Sequence, residues 1–176
     1  MAMVETVRGP PGVERVMRAV AQAHVWTGVP ITVHVPVDNE PGSARPGRAG
    51  RGGADRTRVI IGHAGDNVAL DYLRRLADRC SLPGVDRFGL SVLLPPGQRA
   101  GTVAQLCRRG YAEQMVLSQD AWCYIGWFPG PVRAQVAPKW HCNHVTGDVL
   151  AALRERGVTG EQITTMLVDN PRRSAR

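Results

Sequence analysis

Four short apolar segments, spaced roughly 24–32 residues apart, restrict the fold of this chain more than any other feature. They lie at 31–35, 58–63, 81–86 and 114–120. Three are rich in Val, Ile, Leu or Met, which is typical of strands buried in a parallel sheet, and the segment at 81–86 is weaker because it contains Pro83. Helical patterns lie around them, at 13–27, 68–79, 102–109, 147–156 and 161–168. This alternation predicts βαβ crossovers.

The number of these units limits the architecture. A closed (β/α)8 barrel takes about 250 residues, whereas this chain has 176 residues. We therefore predict an α/β fold that is half of a (β/α)8 TIM barrel, forming a single domain over residues 1–176. The stretch 41–55 is full of Gly and Pro without a periodic apolar face, so we expect a disordered loop in place of a helix there. A half-barrel would expose one edge of its sheet and its inner face.

The charge of the chain raises the question of nucleic acid. Lys and Arg number 22 against 15 Asp and Glu, which gives a net charge of +7, and Lys139 is the only lysine. The arginines are not interleaved with aromatic residues as in a surface that binds single strands. We therefore expect no nucleic-acid partner, and an arginine-rich nucleic-acid binder remains an alternative hypothesis.

Three further observations concern location. No apolar run is long enough to span a bilayer. The first residues contain no apolar core of the kind found in secretory signals. The four cysteines form no CxxC pair. These observations predict a cytoplasmic protein with free thiols and no membrane partner.

Ionisable residues stand where the predicted strands end. His34, His63 and Asp120 close three of the strands, and Asp86 closes the weaker one. In α/β barrels the carboxyl ends of the strands face the mouth where catalysis takes place. Two histidines and a carboxylate that converge there suit a divalent metal such as zinc. The alternative, from spacing alone, is that they are ordinary polar groups that support loops.

Four local sequences resemble the phosphotriesterase family, most closely its lactonase branch within the amidohydrolase superfamily. They are IIGHAGD at 60–66, VDRFG at 85–89, VLSQDA at 116–121 and TMLVDNPRR at 165–173. The resemblance runs in order from about residue 11 to residue 173 and covers only the C-terminal half of the family's barrel, strands five to eight. It implies a zinc-dependent hydrolase with two metals bridged by a carboxylated lysine and a hydroxide.

The resemblance also implies roles for individual residues. His34, His63 and Asp120 would ligate the metal, and Asp120 and Asp66 would transfer protons. Arg87 and Trp122 would bind the substrate. The implied reaction is attack of the metal-activated hydroxide on a lactone carbonyl or on the phosphorus of a phosphotriester. The expected small-molecule partner is therefore an ester, a lactone or a phosphotriester.

Two parts of the family pattern have no counterpart in this chain. No H-x-H occurs anywhere, and no lysine precedes Val13, where the resemblance would place the bridging lysine. The full binuclear site is therefore not encoded here, and we expect impaired hydrolysis by the isolated fragment. A second copy, or a chain that supplies the N-terminal half-barrel, would have to complete it. The alternative is an inactive remnant or pseudoenzyme that acts, if at all, as a binding module.

Overall fold

A parallel sheet that follows chain order forms the centre of the molecule. The computed structural model describes residues 2–5, 11–35, 53–79, 81–122, 124, 126 and 130–176. Within them the strands form one sheet in the order β1-β2-β3-β4-β5. The strands are β1 (Ala2–Glu5), β2 (Ile31–His34), β3 (Val59–Gly62), β4 (Leu82–Val85) and β5 (Val116–Leu117). Each strand thus pairs with the strand before it in the sequence, which is the arrangement of a (β/α) barrel.

Helices connect and cover the strands. They are α1 (Pro11–Thr27), α2 (Leu70–Ala77), α3 (Pro96–Arg108), α4 (Gly130–Val136), α5 (Leu150–Glu155), α6 (Gly160–Thr164) and α7 (Asn170–Ala175). A π-helical turn at Val145–Val149 leads into α5, and another at Thr165–Asp169 joins α6 to α7. Thr159 and Gln162 form a capping box at the start of α6, which satisfies two backbone N–H groups there.

The four predicted strands are confirmed, with ends that differ from the prediction by at most three residues, and β1 is a fifth strand that the sequence does not predict. Helix α3 begins at Pro96 rather than at residue 102, because a proline is well tolerated in the first turn of a helix. Helix α4 is also additional. The loop predicted at 41–55 lies outside the described residues, apart from Gly53 to Asp55.

The two faces of the sheet differ in burial. Ile31 and Val33 of β2 are buried in the main apolar core with residues of the surrounding helices such as Ala21 and Leu73. Thr32 and His34 alternate with them and are only half-buried. Since side chains alternate between the faces of a strand, the second pair lies on the inner face. The helix-covered face therefore carries the core, and the inner face is partly accessible. None of the described helices is long and apolar enough to cross a membrane.

A buried asparagine near the C-terminus holds the segment that leads into β5. The Asn170 side chain is fully buried, and its Nδ2 donates to the carbonyl oxygens of Ala112 at 2.8 Å and Met115 at 2.6 Å. Its Oδ1 accepts from Nη2 of Arg173 at 3.0 Å. Through these bonds the C-terminal DNPRR sequence stabilises the segment before β5, although the two lie far apart along the chain.

We expect Asn170→Ala to lower the free energy of unfolding by about 2–4 kcal/mol, because it leaves two buried carbonyl groups without their donor. Urea unfolding followed by circular dichroism measures the loss. The control is Asn143→Ala at an exposed position, which should change the free energy by less than about 0.5 kcal/mol. Equal effects of the two substitutions would contradict the assignment.

Candidate active site

Left-handed backbone marks the carboxyl ends of three neighbouring strands. His63, Arg87 and Asp120 follow β3, β4 and β5 and have φ values of 62°, 58° and 48°. They are the non-glycine residues with positive φ in the described part of the chain. This conformation is uncommon outside glycine and costs free energy, so it persists where the surrounding structure enforces it, often at functional sites. Two of these residues, His63 and Asp120, are strand-end residues that the sequence singles out, and Arg87 directly follows Asp86, which closes the weaker strand.

Asp86 fixes the orientation of His63. Its Oδ1 lies 2.9 Å from His63 Nδ1, and its Oδ2 accepts the backbone N–H of His63 at 2.9 Å. In the tautomer that donates Nδ1–H to Asp86, the lone pair of the ring is on Nε2. That atom faces Nδ1 of His34 at 3.1 Å, with the two rings nearly perpendicular. The two imidazoles therefore direct nitrogen atoms at one another.

Small residues leave room for the Asp86 carboxylate on the inner face. A Cβ atom at Gly84 would lie 3.4 Å from Asp86 Oδ2 and 3.1 Å from the carbonyl oxygen of Ile61, which is tighter than ordinary contact. A Cβ atom at Gly62 would lie 3.2 Å from the carbonyl oxygen of Val33. Both glycines thus allow neighbouring strands to approach closely, and the absence of a side chain at Gly84 also leaves space beside the Asp86 carboxylate.

Asp120 stands beside this pair. Its Oδ2 lies 3.7 Å from His63 Nδ1 and 3.4 Å from Arg87 Nε. Burial raises the pKa of Asp120 above its ordinary value, and the negative charge of Asp86 raises it further, while His63 and Arg87 act in the opposite direction. A carboxylate with a raised pKa accepts a proton more readily than an exposed one does.

Asp66 lies deeper than the residues above and is held between two arginines. Its Oδ2 accepts from Arg87 Nη1 at 2.9 Å, and its Oδ1 accepts from Arg99 Nη2 at 2.5 Å. The structure thus links Asp66 to Asp120 through the guanidinium group of Arg87. Proton transfer by Asp66 stays a prediction.

Trp122 lies on the segment after β5 and is half exposed, with 49% of its surface accessible. Its carbonyl oxygen accepts from Arg133 of α4. The same segment is anchored by Trp140, a buried residue whose Nε1 donates to the carbonyl oxygen of Gln119 at 3.0 Å. The network of hydrogen bonds and ion pairs described above joins His34, His63, Asp66, Arg87 and Asp120 and does not include Trp122.

Two members of the network have no role in the sequence prediction. The sequence places Asp86 at a strand end and leaves it without a function. Arg99 gives no sequence signal, because an arginine within a helix next to Gln98 resembles an exposed residue. Only the packing of α3 against the turn at Ala64–Asp66 brings it to Asp66.

The expected zinc site is only half formed by these residues. A histidine oriented by a carboxylate, as His63 is by Asp86, is typical of a metal ligand. Catalytic zinc takes about three protein ligands, and no group of three or more His, Cys, Asp or Glu suited to a metal occurs among the described residues. Neither Lys139 nor β1 supplies the bridging lysine. Lys139 donates to Asp148 at the surface, and β1 ends in Glu5, the register partner of His34. The donors present fit zinc in type, and they do not complete its coordination.

The parallel sheet and the polar residues at its carboxyl ends define the chain as part of a (β/α)8 barrel of the kind that carries active sites. Its sequence matches the profile of the phosphotriesterase family over residues 2–175. The chain belongs to this family, as the sequence resemblance predicts.

Individual relatives agree with this placement. A phosphotriesterase homology protein of Mycobacterium tuberculosis is 47% identical over 163 residues, which cover 93% of this chain and 50% of that protein. An aryldialkylphosphatase of Saccharolobus solfataricus is 34% identical over 163 residues, covering 92% and 52%. The solved phosphotriesterase of M. tuberculosis superposes with a TM-score of 0.87 at 42% identity, covering 99% of this chain and 54% of that one. The chain thus spans about half the length of the relatives it matches and forms a partial (β/α)8 barrel.

Proposed function

We propose that these residues form the C-terminal half of the active site of a metal-dependent hydrolase that cleaves a lactone or a phosphotriester. The observation that carries the proposal is the orientation of His63 by Asp86 toward His34, with Asp120 beside them at the same strand ends. The aryldialkylphosphatase among the relatives supports ester hydrolysis at phosphorus.

The proposed divalent metal is zinc, to which His34 and His63 would contribute imidazole nitrogens and Asp120 a carboxylate oxygen. When bound, such a metal polarises the bond under attack and lowers the pKa of a bound water. Asp120 has a second role besides ligation, and Asp86 and Arg87 act through their own charges and hydrogen bonds. Asp120 is the base that takes the proton of the attacking water, Asp86 holds His63 in one tautomer, and Arg87 keeps a positive charge beside Asp120.

The proposal also includes a completing half-barrel. In the described sheet β1 and β5 are the outer strands, so each has one edge without a neighbour there. Unpaired edges and a half-buried inner face favour association with further strands. We propose that strands from beyond these 176 residues, from another chain or from a second copy cover them and supply the remaining metal ligands.

Zinc binding by the purified protein tests whether His34 and His63 hold a metal. We expect the purified protein to bind added zinc weakly, because its coordination is incomplete. His34→Ala and His63→Ala should weaken this binding about tenfold or more, because each removes a donor nitrogen. His141→Ala, at an exposed histidine, is the matched control and should bind as the unmodified protein does. Hydrolysis of a lactone and of an aryl dialkyl phosphate should fall in parallel in the two variants.

Failure to bind added zinc, together with the absence of hydrolytic activity, would contradict the proposal. That result would favour the alternative of an inactive remnant or binding module, for which the specific observation is that no group of three or more His, Cys, Asp or Glu suited to a metal occurs among the described residues.

A further inference from the structure

A charged side chain lies where charge is least expected, in the core beneath the strand ends. Arg99 of α3 is fully buried, and its Nη2 donates to Asp66. Its Cζ lies 5.8 Å from the centre of the Phe88 ring. Its Nε and Nη1 atoms are buried without a hydrogen-bond partner. Burying a guanidinium group in this way is costly, so its position calls for a reason beyond packing.

Alternating charges connect this arginine to the candidate active site. Asp66 accepts from Arg99 through Oδ1 and from Arg87 through Oδ2, and Arg87 in turn presents Nε to Asp120 at 3.4 Å. The side chains of Asp66 and Arg87 are 3% and 11% exposed, so water screens these pairs weakly. The series Arg99, Asp66, Arg87 and Asp120 therefore runs from the core to the strand ends.

Each of the two carboxylate oxygens of Asp66 accepts from a different arginine, and this arrangement determines how Arg87 is held. A carboxylate and a guanidinium group prefer to pair through two parallel hydrogen bonds. If Oδ1 were free, Asp66 would favour such a pairing with Arg87 and draw its guanidinium group away from Asp120. Because Arg99 occupies Oδ1, Arg87 bonds to Oδ2 alone through Nη1 and keeps Nε for Asp120.

We propose that Arg99 is a positioning residue that, through Asp66, holds the Arg87 guanidinium group against Asp120. The inference rests on the proposed function, since it assigns a further residue to the same site. It also makes a statement about the Arg87 side chain that is independent of catalysis.

The test follows the side-chain Nε–H signal of Arg87 by NMR, assigned with Arg87→Lys. In the unmodified protein this N–H should exchange slowly with water, because it is held by Asp120. In Arg99→Met the exchange should accelerate about tenfold or more as the side chain is released. Arg99→Lys retains the positive charge beside Asp66 and should restore slow exchange. Arg108→Met, at an exposed arginine of the same helix, is the matched control and should leave the signal unchanged.

A second variant separates positioning from stability. Asp66→Asn combined with Arg99→Met removes both buried charges, which should restore folding if Arg99→Met alone unfolds the protein. Arg87 should nevertheless remain released, with fast exchange of its Nε–H.

Two results would overturn the inference: an Arg87 signal that exchanges as fast as free arginine in the unmodified protein, or slow exchange in the folded double variant. Release of Arg87 in a protein that never hydrolyses esters would support the positioning role and contradict the proposed function, so the two failures are distinguishable.

Discussion

Gly89→Ala is expected to lower the free energy of unfolding by about 3 kcal/mol or more, which is a large part of the stability of a domain of this size. Gly89 lies two residues after Arg87 and has a φ of +91°, a backbone conformation that residues with a side chain adopt only with strain. A Cβ atom there would lie 2.2 Å from the carbonyl oxygen of Lys139 and 2.8 Å from the backbone nitrogen of Trp140. Both are main-chain atoms, so relief requires that one segment move away from the other.

Urea unfolding followed by circular dichroism measures the effect of Gly89→Ala. The matched control is Gly101→Ala in α3, where a Cβ atom would meet nothing within 4 Å. Because alanine is the better helix former, the control should leave the stability unchanged or raise it by up to about 1 kcal/mol. Wild-type stability in Gly89→Ala would show that the two segments do not meet as the structure has them.

Asp120→Asn is expected to reduce hydrolysis about 100-fold or more and, at neutral pH, to raise the melting temperature. The loss follows from removal of the proposed base. The gain follows from burial and from Asp86, which raise the pKa of Asp120 in the folded protein. A raised folded pKa means that the stability Asp120 contributes is fully present below its unfolded pKa, near 3.8, and is lost as the pH rises through the folded pKa.

The difference in melting temperature between Asp120→Asn and the unmodified protein should therefore grow between pH 4 and pH 7. Asp71→Asn, at a carboxylate of α2 whose side chain is 81% exposed, serves as the control and should change neither activity nor the pH dependence. A melting temperature that falls in Asp120→Asn at every pH would contradict the direction given for the Asp120 pKa.

Local sequence was sufficient to predict most of the sheet. The segments around Ile31, Val59 and Val116 are apolar, short and bounded by turn residues, and these properties depend on a few neighbouring positions. Strand β1 has only four residues, AMVE, and its pairing with β2 is a property of the sheet that its own sequence does not show. Helix α3 begins at Pro96 rather than at residue 102, because a proline is compatible with the first helical turn and the helix extends over residues outside the predicted range.

The site was less predictable than the sheet. Strand-end position places His34, His63 and Asp120 near one another, because parallel strands share one carboxyl edge. The hydrogen bond between Asp86 and His63 depends on the register of the strands and on the left-handed backbone of His63. Neither can be recognised from the neighbouring residues in the sequence. The burial of Arg99 depends on the packing of α3 against the turn after β3, which single-residue patterns do not encode.

The order of the strands also has a consequence for how the protein is made. Since every described strand pairs with its neighbour in the sequence, each pairing closes over a single crossover connection. Parallel pairing across such a connection is non-local and therefore forms slowly. During synthesis each strand can pair with the edge of the preceding strand, which has been synthesised before it. The last strand to arrive, β5, is followed by Asp120, so the proposed base enters the site only when the rest of the described network is in place.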